Sequence, residues 1–581
     1  MSQTLTESQA SAAATTTVEH WIDGASVAGS SDRSGPVYNP ALGVEQKRVR
    51  FASTEDVDLA VQAAARAFPG WRDTSIAKRQ QVMFAFRELL NARTGELAAI
   101  LTSEHGKVTS DAAGEIARGL EVVELACAMP GYTKGEYSEN VSTGIDVYTL
   151  RQPVGVVGII SPFNFPAMVP LWFFPLAIAT GNTVVLKPSE KDPSAAVWLA
   201  RLMQEAGLPD GVLNVVHGDK VAVDALLEHP TVRSISFVGS TPIAQYIYST
   251  ATANGKRVQA LGGAKNHMLV LPDADLDLAA DAAVNAGFGS AGERCMAISA
   301  VLAVDSIADE LVEKIAERMS RLTTGDGTRG CDMGPLITRE HRDKVAGYLD
   351  VAASDGAAVV VDGRDPEVDG EPDGFWLGPT LVDRVPTSSA VYRDEIFGPV
   401  LSVLRVDGYE DGLELINGSR YGNGTAIFTN DGGAARRFQR EVTVGMVGIN
   451  VPIPVPVAYH SFGGWKDSLF GDAKAYGPRG FDFFTQEKAI TSRWLDPSHG
   501  GLNLGFPHAC FISQVDELLT LDFFKIFLRS TRAEARAYGL ELRAGLAGEG
   551  LRELGGFPPG SPGIGDGLAG LAAAVAAGAR R

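Results

Sequence analysis

Apolar residues recur at helical spacing over residues 54–68, 76–91 and 95–105, which predicts three amphipathic helices in the first fifth of the chain. From residue 154 the pattern changes. Short β-branched runs at 154–160, 183–187, 212–216 and 234–238 read as strands, and helical stretches at 170–180, 194–206 and 221–227 lie between them. Strands alternating with helices imply an α/β protein built on a parallel, doubly wound sheet. The most apolar region, 154–186, is broken by Pro162, Pro166, Pro170, Pro175 and Gly181-Asn182, a density of breaks that a membrane span does not tolerate.

Size and composition narrow the class. A chain of 581 residues is too long for one ordinary core, and 45% apolar with 21% charged residues is the make-up of a globular enzyme. A net charge of -19 and a pI near 5.0 repel nucleic acid and anionic membrane, so neither is expected as a partner. Cys127, Cys295, Cys331 and Cys510 are far apart and form no CxxC pair, so no metal site is expected and a reducing, cytoplasmic setting fits. Residues 1–17 are rich in Ser, Thr and Ala, with no basic start and no apolar run, and read as a disordered leader.

One cysteine stands out. Cys295 sits in Gly289-Ser290-Ala291-Gly292-Glu293-Arg294-Cys295-Met296-Ala297, where small neighbours leave a thiol room to meet a substrate. A thiolate is a strong nucleophile, although a lone cysteine is most often a buried core residue. Two strand ends suit a nucleotide. Leu186-Lys187-Pro188-Ser189-Glu190 offers a cation and a carboxylate for ribose hydroxyls, and Phe237-Val238-Gly239-Ser240-Thr241 opens a helix whose free N–H groups suit a pyrophosphate. Taken singly, these also read as a solvated surface pair and a plain N-cap. The one GxGxxG match, Gly565 to Gly570, follows no strand, lies in a Gly/Ala-rich tail and is set aside.

Taken in order, Ser161-Pro-Phe-Asn-Phe-Pro166, Leu186-Lys-Pro-Ser-Glu190, Phe237-Val-Gly-Ser-Thr241, Gly292-Glu-Arg-Cys295 and Glu395-Ile-Phe-Gly-Pro-Val400 make the chain resemble the aldehyde dehydrogenase superfamily. Lys256-Arg-Val-Gln-Ala-Leu-Gly-Gly-Ala-Lys-Asn-His267, Phe288 to Met296 and Asp496-Pro-Ser-His-Gly-Gly501 bring it nearer the CoA-acylating methylmalonate-semialdehyde dehydrogenase branch. The resemblance runs over about residues 18–507. It implies an NAD-binding domain over 18–131 and 153–262, a catalytic domain over 263–484, and a small β extension over 132–152 and 485–507 that joins subunits into a dimer or tetramer. Within that extension, 141–150 and 488–494 are expected to be strands. Residues 508–581 have no counterpart in the branch; 518–528 is dense enough in apolar residues for a helix, and the Gly/Ala-rich end reads as disordered.

The resemblance also assigns roles. Cys295 becomes the nucleophile, and its backbone N–H together with the Asn164 amide becomes the oxyanion hole. Ser161, Phe163, Lys187, Glu190, Lys191, Gly239, Ser240, Gly262, Glu395 and Phe397 become the NAD site, with Glu190 favouring NAD over NADP. Arg118 and Arg294 become the grip on a substrate carboxylate, for which two-pronged Arg suits better than Lys. As plain structure, Arg118 would instead pair with Glu115 or Glu121, and Arg294 with Glu293 or another acid. Hydrolytic relatives carry a water-activating glutamate where this chain has Ala260, so the expected acyl acceptor is coenzyme A. Malonate-type semialdehydes would then give acetyl-CoA or propionyl-CoA after decarboxylation. The competing reading is a hydrolytic semialdehyde dehydrogenase in which Glu293 replaces the missing base. A bare NAD-binding scaffold conflicts with Cys295, Asn164 and Glu395 all being present, and a cysteine hydrolase lacks a histidine placed by any motif beside Cys295.

Overall fold

The computed structural model describes residues 16–494; the expected tail helix at 518–528, the set-aside glycine motif and all but the last two residues of the expected leader lie outside them. Thr16 and Thr17, read from composition as the end of a disordered leader, instead belong to a strand, Thr16–Val18, which pairs in parallel with Val44–Arg50.

The three amphipathic stretches are helices Thr54–Asp73, Ile76–Ala92 and Thr94–His105. Local chemistry sets their ends. Ser53 and Asp56 form a reciprocal capping box on the first, and Gly106 closes the third in the left-handed conformation at φ 90°.

The strand–helix alternation builds an eight-stranded sheet. Its five parallel strands lie in the order Arg257–Leu261, Val232–Val238, Val156–Ile160, Thr183–Lys187, Leu213–Val215. Val156–Ile160, first of these in the chain, lies in the middle, so the winding reverses there and a crevice opens beyond the carboxyl ends. Leu469–Phe470 adds antiparallel to Arg257–Leu261, which carries chain from beyond the expected division at residue 262 back onto this sheet.

A second sheet of seven strands has Val400–Val406, Ile298–Val304, Asn266–Val270, Gly424–Phe428 and Met446–Ile449 as parallel neighbours. Gly262 to Lys265 run directly from the carboxyl end of Arg257–Leu261 into the amino end of Asn266–Val270. The carboxyl ends of one sheet therefore meet the amino ends of the other, where Cys295, Glu395 and Asn423 precede their strands.

Helix Met168–Ala179 is buried along its whole length, as its unbroken apolar sequence requires. It packs on helix Thr109–Cys127, where Gly119 lets Leu171 approach. Pro170 falls in its first turn, where no intrahelical N–H is missed.

Two compact units divide the described chain, one taking in residues up to 137 and 148–490, the other residues 138–147 and the end of the last strand. The 141–150 stretch is not one strand: Tyr137–Ser142 and Ile145–Pro153 form a hairpin that turns at Thr143-Gly144, with Gly144 at φ 66°. Thr485–Arg493 supplies the third strand of that sheet. Among the described residues no helix is long and apolar enough to cross a membrane.

Candidate active site

Cys295 is positioned by a turn that few sequences allow. Ser290, Ala291 and Gly292 adopt left-handed φ values of 53°, 51° and 72° in succession between helix Leu276–Phe288 and the strand from Ile298. A side chain at Gly292 would run into the Gly398 carbonyl, so glycine there lets the nucleophile turn touch the Glu395–Pro399 segment. Below the turn, the Asn266 side-chain amide donates to the carbonyls of Cys295 at 2.9 Å and Ala297 at 3.0 Å, and Asn423 donates to the Cys295 carbonyl at 3.2 Å.

Burial and the nearby Glu395 carboxylate push the Cys295 thiol up to about 12, while Arg294 and the backbone N–H groups of Cys295 and Met296 oppose that shift. Asn164 is buried against the turn that leads to Cys295. Its side-chain amide donates to the Glu293 carbonyl at 3.0 Å, and its backbone carbonyl accepts from the Lys107 ammonium at 2.7 Å.

Cys295 opens on one side into a cavity of about 530 Å³. Phe165, Met168, Trp172, Met296, Val455 and Phe462 make its wall mostly apolar, and Arg118 and Arg294 both line it. The plain structural readings of these arginines are also realised in part. Arg118 pairs with Glu121 at 3.0 Å and donates to the Val455 carbonyl, while Glu115 pairs with Lys107 instead. Arg294 pairs with Asp111 at 2.6 Å and not with Glu293.

On its other side Cys295 meets Glu395 and Phe397. Glu395 is half-buried, accepts from the Ala264 N–H at 2.9 Å, and is pushed up to about 7 by desolvation. Phe397 sits at φ 61° and stands edge-on to Phe163, whose ring lies under the Lys191 ammonium at 4.6 Å. Ala260 is fully buried in an apolar cluster. Glu293 does not line the Cys295 cavities. Its carboxyl faces His105 at 3.6 Å and His341 at 3.5 Å, and burial pushes it up to about 8.

Cys295 is thus set between the segment that carries Glu395 and Phe397 and a cavity lined by two arginines, and residues 27–490 match the family model described as the aldehyde dehydrogenase family. The chain belongs to the aldehyde dehydrogenase family. It is 55% identical over 494 residues to the malonate-semialdehyde dehydrogenase of Pseudomonas aeruginosa, covering 84% of this chain and 99% of that one. The solved methylmalonate-semialdehyde dehydrogenase of Oceanimonas doudoroffii superposes with a TM-score of 0.82 at 55% identity, over 83% of this chain and 99% of that one. A Sinorhizobium meliloti 1021 protein solved in complex with NAD gives 0.82 at 51% identity, over 83% of this chain and 98% of that one.

The crevice of this aldehyde dehydrogenase fits NAD. The buried Ser161 hydroxyl has no partner among the described residues, and helix Thr241–Ala253 begins after Gly239-Ser240 with no side-chain cap on its N–H groups. Lys187 ends its strand with its ammonium 3.3 Å from Glu190, at the edge where ribose hydroxyls would be held. Gly262 follows strand Arg257–Leu261 and donates to the Ser468 carbonyl. These residues gather at the carboxyl ends of the first sheet, apart from the arginines, and only Glu395 and Phe397 reach the Cys295 wall.

The sequence reading missed several groups. The Lys107–Glu115 pair, 2.5 Å long and fully buried, ties the Asn164 turn to helix Thr109–Cys127, and its spacing of eight residues carries no helical signature. Asn266, Asn423 and Asp111 are drawn in from other segments by tertiary contact.

Proposed function

We propose that this aldehyde dehydrogenase oxidises malonate semialdehyde and its methyl homologue with NAD and passes the acyl group to coenzyme A. The observation that carries the substrate class is the pair Arg118 and Arg294 in one mostly apolar cavity with Cys295. A carboxylate placed there gains charge-assisted hydrogen bonds in a poorly screened setting.

The chemistry follows from the positions. Cys295 loses its proton to solvent and its sulfur bonds to the aldehyde carbon as the carbonyl π bond breaks; the aldehyde oxygen takes the negative charge and accepts from the Asn164 amide and the Cys295 N–H. Asn164 has one donor to spare, because its bond to the Glu293 carbonyl uses only one of its two N–H groups. NAD, when bound, supplies the hydride acceptor that turns this adduct into a thioester. Ser161, Phe163, Lys187, Glu190, Lys191, Ser240, Glu395 and Phe397 are the residues that would hold it.

Two facts favour a thiol over water as acyl acceptor. Position 260 carries alanine in an apolar cluster, and Glu293 faces two histidines away from the cavity. Neither is placed to activate water at the thioester. The carboxylate β to the thioester carbonyl leaves as carbon dioxide, the resulting enolate is protonated at carbon, and the CoA thiolate displaces Cys295 from the acyl carbon. We also propose that the hairpin sheet joins subunits, since Tyr137, Val141 and Leu150 expose apolar surface.

The test is NADH formation by the purified full chain from malonate semialdehyde and NAD, with and without CoA, and mass identification of the product. Sustained turnover only with CoA, yielding acetyl-CoA, is expected. Equal turnover without CoA refutes the acylating step, and no turnover under either condition refutes the substrate.

A further inference from the structure

We propose that Ser290 is a further substrate ligand, whose hydroxyl donates to the carboxylate of the semialdehyde beside Arg294. The proposal rests on the reading of the substrate as a carboxylated aldehyde and adds a residue to its recognition.

Ser290 lines the same cavity as Cys295, Arg118 and Arg294. It is 3% exposed, and its hydroxyl has no hydrogen-bond partner among the described residues. A buried hydroxyl without a partner is unusual enough to need an explanation, and a ligand that supplies an acceptor is one.

The backbone around it is strained and held. At φ 53° a serine occupies the left-handed region that favours glycine or asparagine. Asp111 fixes that conformation: one of its oxygens accepts the Ser290 N–H at 2.8 Å, and the other accepts from Arg294 at 2.6 Å. A single carboxylate therefore ties the Ser290 backbone and the Arg294 guanidinium together in the wall of the cavity that both residues line.

A hydroxyl is suited to this task. It adds a short, directional donor without a second full charge, and it distinguishes an acidic aldehyde from an uncharged one of equal length. Satisfying the orphaned hydroxyl only when substrate is bound makes its contribution appear in binding.

The experiment compares wild type, Ser290→Ala and Ser290→Gly, each as the full chain, with malonate semialdehyde and with propanal. Ala291 already sits at φ 51°, so alanine is compatible with this backbone, whereas glycine also relaxes it. The expected result is a KM for malonate semialdehyde raised about tenfold in both variants, the size of one lost hydrogen bond to a charged group. In Ser290→Ala, which keeps the backbone, kcat and the kcat/KM for propanal should stay within about twofold of wild type.

An unchanged KM in Ser290→Ala overturns the proposal. So does an equal loss for both aldehydes, which marks a structural role, or a loss confined to Ser290→Gly, which marks backbone relaxation. A wild type that does not prefer malonate semialdehyde over propanal overturns the substrate reading itself, and this is seen before either variant is measured.

Discussion

Replacing Glu115 by alanine tests how the oxyanion side of the site is supported. Its carboxylate accepts from Lys107 at 2.5 Å and from the N–H groups of Ala167 and Met168 at 2.8 and 3.0 Å, and both charged side chains are fully buried. The substitution leaves Lys107 with only the Asn164 carbonyl and the Phe165 ring, and strips the acceptor from the first N–H groups of helix Met168–Ala179. Removing one partner from a buried ion pair costs about 3–5 kcal/mol, and the two abandoned N–H groups place this case at the upper end. That is a large share of the roughly 5–15 kcal/mol by which a domain is stable. Glu115→Gln keeps an acceptor for the helix and loses only the charge, so about 1–3 kcal/mol is expected. Urea unfolding followed by tryptophan fluorescence should rank wild type above Gln above Ala, with the exposed Glu367→Ala beside wild type. Because Lys107 also holds the Asn164 carbonyl, kcat should fall in the same order. A Glu115→Ala midpoint level with the Glu367 control would refute the reasoning.

Replacing Arg118 or Arg294 by glutamine should lower kcat/KM for malonate semialdehyde by about 10- to 100-fold, from one lost charge-assisted bond, while propanal changes little. Steady-state kinetics on the two aldehydes checks this, and equal losses on both would count against a carboxylate grip. Asn164→Ala should reduce kcat by about 10²- to 10³-fold with KM nearly unchanged, as loss of an oxyanion donor does; a loss confined to KM would remove it from that role. Glu293 is raised from 4.5 to about 8 when folded, so between those values the unfolded chain has released a proton that the folded chain keeps. Its contribution to stability is therefore complete below about pH 4.5 and lost as pH rises through about 8. Glu293→Gln should flatten the decline in melting temperature across that window, and an unaltered decline would show that Glu293 does not set it.

Much of this protein follows from local sequence. The helices at Thr54–Asp73, Ile76–Ala92 and Thr94–His105 and the strands at Thr183–Lys187 and Val232–Val238 declare themselves, because periodicity and capping act over a few residues. Gly292-Glu-Arg-Cys295 and Leu186-Lys-Pro-Ser-Glu190 are equally legible, since turn geometry and strand ends restrict which residues serve there. The hairpin turn at Thr143-Gly144 escaped because an alternating pattern on both sides of one glycine looks like a continuous strand.

Tertiary structure alone decided which charges meet. Arg294 found Asp111 across 183 positions, Lys107 reached the Asn164 carbonyl across 57, and Asn423 reached the Cys295 carbonyl across 128. It also turned Glu293 toward His105 and His341 although Glu293 lies two residues from Cys295. Local propensity fixes where an element begins and ends. The partner of a buried charge depends on where whole sheets and helices come to rest, and no window along the chain contains that information.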